Sequence, residues 1–196
     1  METSRAGFGA RPLATLGFRA LQLSEVVLDD VEVTRADLLG SHLPPSRRGM
    51  GAATNVFYTL RPQLAASALG IACAAHDYVA AHRRDLDAAE RAAMARFGAR
   101  IAAVRAVIRT AAREIDAGRL LGGPGSASKA LAVALADELV NAAPRFLGPG
   151  SRWEHPFLDK WIRDLRGLEL MEGTSTVQKL TLAQAYAQRE TVARRG

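Results

Sequence analysis

The chain has 196 residues, a net charge of +6 and 48% hydrophobic residues. This length is enough for one domain with a hydrophobic core, and the composition excludes a disordered or fibrous protein. Charged residues interrupt every apolar stretch, so we predict no membrane span, and the N-terminus lacks the apolar core of a secretory signal, which favours a cytoplasmic protein. The basic residues are spread along the chain without interleaved aromatic residues, which argues against nucleic-acid binding.

The N-terminal quarter carries the one β-like pattern that we identify. Residues 21–33 alternate apolar and polar side chains, which predicts two short strands or one bent strand. Two prolines and Gly49 then interrupt the chain. We therefore predict an N-terminal arm with short β-strands over residues 1–48 and a helical domain over residues 49–196.

Helical periodicity dominates the remainder of the chain. A first long helix is predicted from about residue 51 to residue 84, with Pro62 kinking it or marking a local start. The lone Cys73 on this helix is interpreted as a small buried hydrophobe. The predicted apolar face of this helix consists of Phe57, Leu60, Leu64, Ile71, Ala75 and Tyr78. A second helix ends near Gly118, and its apolar stripe consists of Ile101, Val104, Ile108, Ala112 and Ile115.

A glycine-rich segment separates the second and third predicted helices. Residues 121–125 are predicted to form a loop, after which Ser126 or Ser128 caps the third helix. The sequence Gly-Pro-Gly at residues 148–150 ends that helix. The apolar face of the third helix is predicted to consist of Leu131, Leu135, Leu139, Ala142 and Phe146.

Two further helices are predicted in the C-terminal part, over residues 157–170 and 175–193, with Gly173 and Thr174 between them. Short connections between helices favour antiparallel packing. The predicted fold is therefore mainly α, an up-and-down bundle of four to five helices with a short N-terminal β segment.

Glu172 is the acidic residue that the local pattern singles out. It follows an apolar stretch and precedes the last helix, whose N-terminus stabilises an anion by up to about 1 kcal/mol, whereas apolar surroundings favour the neutral acid. Opposed effects of this kind suit a carboxylate that abstracts a proton. By itself, however, this spacing is more typical of an ordinary acidic residue in a first helical turn.

A longer stretch around Glu172 resembles a known family. Residues 161–180 read Trp-Ile-Arg-Asp-Leu-Arg-Gly-Leu-Glu-Leu-Met-Glu-Gly-Thr-Ser-Thr-Val-Gln-Lys-Leu. They closely resemble the acyl-CoA dehydrogenase signature, in which an Arg-Asp pair leads into Tyr-Glu-Gly-Thr and an Ile-Gln-Arg helix. Upstream, Phe146-Leu-Gly-Pro-Gly resembles the family's Phe-Gly-Gly-x-Gly turn, and Leu60-Arg-Pro resembles the start of the first helix of its C-terminal domain. Segments within residues 16–40 resemble the last strands of its β-domain.

The resemblance implies a role for each matching residue. Glu172 is expected to remove the α-proton of an acyl thioester while FAD accepts the β-hydride. Arg61 matches an arginine on the substrate side, and Arg163 and Asp164 are expected to fix their helix by ion pairing. The residues expected to contact the cofactor are Gly173, Thr174, Thr176, Gln178 and, from a neighbouring subunit, Gly148 and Gly150. No metal site is predicted.

The chain also departs from the family's pattern. The family is about twice as long, so this chain is expected to supply the base but only half of the flavin cleft. Where the family has an Arg-x-x-Phe-Gly turn on the flavin diphosphate, residues 83–91 form a charge run. We expect that run to be solvated, with Arg83 or Arg84 as the alternative diphosphate contact. Thr176 replaces a longer polar residue of the signature.

Three functional hypotheses remain open at this point. The first is a component of a flavin-dependent acyl-CoA or acyl carrier protein dehydrogenase, with an electron-accepting flavoprotein or another oxidant as partner. That component is expected in a homo- or hetero-oligomer, together with polypeptide that supplies the missing domains. The second is a non-catalytic assembly or binding subunit of the same fold. The third is a relative that activates oxygen at the flavin, against which Glu172 argues because that reaction needs no α-carbon base.

Overall fold

A computed structural model of the chain describes residues 2–45, 48–119 and 122–193. The chain divides into two compact units, Met1–Val56 and Phe57–Gly196. The elements in chain order are β1 (Phe8–Pro12), β2 (Ser24–Leu28), α1 (Met50–His82), α2 (Ala88–Asp116), α3 (Gly122–Leu147), α4 (Ser151–Glu154), α5 (Pro156–Leu170) and α6 (Ser175–Ala193). The mainly α class and the short N-terminal β segment are therefore confirmed.

The first unit contains a small antiparallel sheet. Its register pairs Phe8 with Leu28 and Pro12 with Ser24. β2 lies within the stretch predicted to be β, but its partner β1 was missed. The sequence of β1, Phe-Gly-Ala-Arg-Pro, has no apolar alternation, so only the pairing with β2 makes it a strand.

The buried face of α1 in the second unit is built mainly from alanines. The predicted face is offset from the observed one, since Phe57 is 41% exposed. The fully buried apolar residues of this helix are Ala65, Ala68, Ala72, Ala75 and Val79. Small side chains allow neighbouring helices to approach closely, so here close packing rather than side-chain size decides which face is buried.

The predicted loop at residues 121–125 is wrong where the structure describes it, because α3 already begins at Gly122. A Cβ at Gly122 would lie 2.7 Å from the Tyr58 ring. At Gly125 a Cβ would lie 3.3 Å from the Tyr58 carbonyl oxygen, the acceptor that Pro62 leaves without a helical donor. The glycines thus serve close packing against α1, and α1 runs through Pro62 without a new start.

The predicted caps of α3 are also wrong. Ser126 and Ser128 are completely buried inside the helix. The Ser128 hydroxyl donates to the carbonyl of Gly125 at 2.8 Å, a bond back to the preceding turn. Neither serine therefore lies at the N-terminus of the helix.

The core of the second unit lies between the stripes of α1, α2, α3 and α5. The predicted α2 residues Ile101, Val104 and Ile108 are buried, whereas Leu131 of α3 is 48% exposed, contrary to expectation. Cys73 is half-buried rather than fully buried, and the Arg105 guanidinium contacts its sulfur at 3.3 Å. The leucines that α5 adds to the core are Leu158, Leu165 and Leu168.

Helix α1 is also long and apolar enough to cross a bilayer, judged by length and composition alone. Core helices of soluble proteins meet the same criterion. Its alanine face is packed inside the protein, which is the environment of a core helix. The absence of a membrane span stays a prediction.

Candidate active site

The residues around Glu172 form a tight turn between α5 and α6. Met171 leaves the helix in an extended conformation, and Glu172 and Gly173 then both have positive φ angles, 54° and 94°. A positive φ is uncommon for a residue with a side chain. The turn therefore fixes the direction in which the Glu172 side chain leaves the backbone.

Glu169 fastens the two ends of this turn together. Its carboxylate accepts the Ser175 backbone N–H at 2.8 Å and the Ser175 hydroxyl at 2.7 Å. Ser175 is the first residue of α6, whose N–H groups have no intrahelical acceptor. A carboxylate at this position also matches the positive end of the helix dipole.

Three buried side chains hold the carbonyl groups of the turn. The Gln178 side-chain amide donates to the carbonyls of Glu172 and Gly173, both at 2.9 Å. The Lys129 ammonium donates to the carbonyl of Glu169 at 3.2 Å and to those of Met171 and Gly173.

The third of these side chains is Arg61 of α1. Its Nε approaches the Glu172 carbonyl at 3.4 Å, and its Nη1 donates to the Ser126 hydroxyl at 2.9 Å. The Tyr58 ring lies under the same guanidinium, 5.2 Å from its central carbon. Arg61 thus joins α1 and α3 to the turn.

The Glu172 carboxylate is left available by this arrangement. Its Oε2 is buried and has no hydrogen-bond partner among the described residues. The carboxylate acts electrostatically on both Arg61 and Lys129. Burial lowers the pKa of the Arg61 guanidinium and that of the Lys129 ammonium, and in each case the negative charge of Glu172 opposes that shift.

The residues expected to contact the cofactor fall into two groups. Thr174, Thr176 and Gln178 lie at the start of α6, next to Gly173, and the Oε1 of the completely buried Gln178 also has no partner in the described part of the chain. Thr174 precedes α6, and its hydroxyl oxygen lies 3.5 Å from the Val177 N–H, a long contact.

The second group lies at the opposite end of α3. Gly148 and Gly150 have φ angles of 91° and 81° and form the turn between α3 and α4. At 1.5 Å per residue, Gly148 lies about 30 Å along the axis from Lys129. The two groups are therefore not brought together within one chain, as expected if the glycines serve a neighbouring subunit.

Arg163 and Asp164 of the signature form ion pairs, as predicted. Arg163 pairs with Asp159 at 2.6 Å, and Asp164 pairs with Lys160. In the charge run, Arg83 is three-quarters buried, against expectation, and its guanidinium bonds Asp85, Glu90 and the Phe146 carbonyl. That carbonyl lies in the last turn of α3, so Arg83 caps a helix end.

Sequence reasoning missed Lys129, Ser126 and Glu169. For Lys129 the signal was present, because it is the one charged residue in the run Ser126-Ala-Ser-Lys-Ala-Leu-Ala-Val-Ala-Leu. A lysine on an apolar face is rarely buried unless its ammonium is paired. Glu169 carried no such signal, since its contact with Ser175 depends on the geometry of the turn.

Comparison with known proteins shows which family the chain resembles. Residues 47–187 match the family described as "Acyl-CoA dehydrogenase, C-terminal domain". The chain is 29% identical over 179 residues to a cyclohexane-1-carbonyl-CoA dehydrogenase of Geobacter metallireducens. The aligned region covers 86% of this chain and 46% of that protein. It is 27% identical over 183 residues to a 3-(aryl)acrylate reductase of Clostridium sporogenes, and this alignment covers 88% of this chain and 47% of that protein.

The fold is also found in solved structures. Butyryl-CoA dehydrogenase of Megasphaera elsdenii matches 95% of this chain over 50% of its own length, with a TM-score of 0.84 and 24% identity. The chain thus spans about half the length of the curated relatives and of this structure. Since the family match extends over most of the sequence, the chain belongs to the acyl-CoA dehydrogenase family.

Proposed function

We propose that this chain is the C-terminal component of a flavin-dependent acyl-thioester α,β-dehydrogenase, in which Glu172 abstracts the α-proton. The observation that carries the proposal is the buried Oε2 of Glu172, which has no partner among the described residues and lies in a turn fastened by other side chains. A general base must have an oxygen free to accept the proton and must be held in place. The family membership supports the same chemistry.

The α-proton of a thioester is only weakly acidic, so its removal requires loss of the β-hydride to an electron acceptor. FAD, when bound, would supply that acceptor for the β-hydride. The Glu172 carboxylate takes the proton from the α-carbon, and the electron pair of that C–H bond becomes the second bond between the α- and β-carbons. Glu172 then returns the proton to solvent.

The chain's own residues fit a polar cofactor. The N-terminus of α6 is the positive end of its dipole, and Thr174 and Thr176 lie on either side of Ser175, whose own N–H is bound by Glu169. Gln178 Oε1 is buried without a partner among the described residues, as is Glu172 Oε2. We propose that Gly173, Thr174, Thr176 and Gln178 hold the flavin ring side of FAD, while Gly148 and Gly150 serve the FAD of another subunit.

Arg61 matches the substrate side of the family site, and we keep it as a substrate-side residue. Its hydrogen bonds go to Ser126 and, at 3.4 Å, to the Glu172 carbonyl. The carbonyl group that it holds belongs to the proposed base. We therefore propose two roles for Arg61, one in binding the substrate and one in holding the geometry of the turn.

The sheet of the first unit supports a requirement for further polypeptide. Successive strand residues point to opposite faces, and Val26 and Val27 are 54% and 52% exposed, so each face of the sheet carries an exposed valine. A two-stranded sheet is marginally stable in isolation. We propose that additional β-strands, from a longer parent chain or a partner chain, cover this sheet and complete the flavin cleft.

We propose an electron-accepting flavoprotein or another oxidant as the redox partner, an oligomeric assembly and a cytoplasmic location. The thioester carrier is CoA or acyl carrier protein. The relatives' names describe a dehydrogenase and a reductase, so the direction of the reaction is a quantity to measure.

The decisive experiment measures flavin reduction. The chain is purified alone and together with polypeptide that supplies the missing domains, FAD is added, and bleaching of the flavin spectrum is followed after addition of acyl thioesters. We expect bleaching in the completed preparation, and loss of at least 10²-fold in its rate for Glu172→Gln. The control is Glu138→Gln, since this carboxylate is half-exposed and pairs with Arg100 on the surface.

Two outcomes contradict the proposal. Absence of bound flavin in both preparations favours the non-catalytic assembly subunit. Bleaching that is equally fast in wild type and Glu172→Gln shows that another group removes the proton.

A further inference from the structure

Lys129 is the most completely buried charged side chain near the turn. It is 1% exposed, although it carries an ammonium group. Buried charges are retained in proteins when partners replace the lost water. Lys129 has three N–H donors, and its ammonium contacts three acceptors, the carbonyls of Glu169, Met171 and Gly173.

These carbonyls surround the position of the proposed base. Glu169 lies in the last turn of α5, where carbonyl groups have no helical donor and the helix dipole favours a cation. Met171 directly precedes Glu172, and Gly173 directly follows it. One ammonium therefore binds the backbone on both sides of Glu172 and ties it to the end of α5.

The three carbonyl oxygens converge on one ammonium and carry like partial charges. Without a cation between them, they would repel and open the turn. Gln178 binds the carbonyls of Glu172 and Gly173 but contacts neither Glu169 nor Met171. The Glu169 carboxylate also links α5 to Ser175 of α6. Among the described side-chain donors at the turn, Lys129 is the one that binds carbonyls both before and after Glu172.

We propose that Lys129 is a positioning residue for the proposed base, whose ammonium fixes the direction of the Glu172 side chain by holding the carbonyls of Glu169, Met171 and Gly173. This inference rests on the proposed function of Glu172 and extends it to a residue of α3. Lys129 does not touch the reacting atoms. Its effect is transmitted through the backbone of the turn.

The first test follows hydrogen exchange in the chain itself, without cofactor. Lys129→Met keeps a side chain of similar length but removes all donors. We expect the backbone amides of Met171 and Ser175 to exchange at least tenfold faster, with the amides of α2 unchanged. The control is Lys160→Met, because this lysine is 56% exposed on α5 and contacts no carbonyl of the turn.

The second test separates positioning from general structural support. In the flavin-containing preparation, Lys129→Met is expected to lower kcat by about 10²-fold, the effect of misplacing a reacting group by about 1 Å. The KM for the acyl thioester and the flavin content are expected to stay within threefold of wild type. With α-deuterated thioester, the isotope effect on bleaching is expected to increase, because proton removal becomes more strongly rate-limiting.

Each result decides the inference. Unchanged exchange in the turn, or an unchanged kcat per bound flavin, overturns it, and a variant that loses only flavin content shows a purely structural role. If Lys129→Met does not fold, Lys129→Gln, which retains two N–H donors, is measured in the same way and is expected to show intermediate exchange. If Glu172→Gln is fully active, the proposed function fails; if that variant is inactive while Lys129→Met is fully active, only this inference fails.

Discussion

Replacing Gly173 by alanine tests whether the turn around Glu172 has the observed geometry. Gly173 has a φ of 94°, and a Cβ there would lie 3.0 Å from Val177 Cγ1 and 3.2 Å from Gln178 Nε2. A left-handed conformation costs an L-residue about 1–2 kcal/mol. Forcing an extra carbon into packed surroundings adds about 1–3 kcal/mol. We therefore expect Gly173→Ala to lower the free energy of unfolding by about 2–5 kcal/mol.

Two other glycines separate the backbone contribution from the contact contribution. Gly148 has a similar φ, 91°, but a Cβ there meets no atom of the described residues within 4 Å, so Gly148→Ala should cost only the backbone term of about 1–2 kcal/mol. Gly70 lies on the exposed side of α1, and in the described part of the chain a Cβ there would have no neighbour within 4 Å. Gly70→Ala should therefore stabilise the protein by about 0.5–1 kcal/mol.

The assay is urea unfolding followed by circular dichroism, with thermal unfolding as a second measurement. For a chain of this size, 1 kcal/mol shifts Tm by about 2–4 °C, so the three variants are expected to be resolved in the order Gly70→Ala, Gly148→Ala, Gly173→Ala. Equal stabilities for Gly148→Ala and Gly173→Ala would refute the close contact with Val177 and Gln178. A Gly173→Ala variant as stable as wild type would refute the left-handed turn itself.

Leu165 is 1% exposed, so Leu165→Ala is expected to lower the free energy of unfolding by about 2–5 kcal/mol. Leu131 is half-exposed, so Leu131→Ala should change it by less than about 1 kcal/mol. Similar urea midpoints for the two variants would contradict the assigned core. Hydrogen bonds from Arg5 hold the pKa of Asp37 well below its usual range, so this contact stabilises the first unit above the ordinary aspartate pKa of about 3.9 and is lost as pH falls through the lowered value. Asp37→Asn should reduce the protection of the backbone amides of residues 34–38 from hydrogen exchange at pH 6. In this variant, acidification should cause no further decrease in that protection, whereas in the wild type it should. Identical pH profiles for variant and wild type would exclude this role of Asp37.

Periodicity predicted the helices well where large apolar residues face the core. Ile101, Val104 and Ile108 of α2 recur at helical spacing and are buried. The same reasoning failed on α1, because hydrophobicity ranks Phe57 above alanine although alanines allow the closest packing. The spacing of apolar residues predicts that one face of a helix is buried. It does not predict which small residues lie closest to the neighbouring helix.

Glycines misled the sequence interpretation in a different way. Gly122 and Gly125 were interpreted as loop residues from their local conformational freedom. In the structure they lie inside α3, where Tyr58 and the backbone next to Pro62 occupy the space that side chains would fill. Such contacts join residues more than sixty positions apart, so no local window reveals them.

The candidate site itself was located by the signature, but its support was not. Glu172 was identified from its neighbours in sequence, whereas Lys129 of α3 reaches the turn only in the folded chain, as does Arg61, which Ser126 of α3 binds. The lysine in an otherwise apolar run was a visible anomaly. The function of this lysine depends on three carbonyl groups at the end of α5 and in the turn that follows it.

The placement of the two buried cations explains how the turn can be rigid while the carboxylate stays free. Arg61 and Lys129 direct their hydrogen bonds to carbonyl oxygens and to Ser126, and among the described residues neither forms an ion pair with the Glu172 carboxylate. Direct pairing would occupy the oxygens that must accept a proton. The N–H donors of Arg61 and Lys129 are therefore occupied by carbonyl oxygens and by Ser126, and the Glu172 carboxylate remains available for the proton abstraction that we propose.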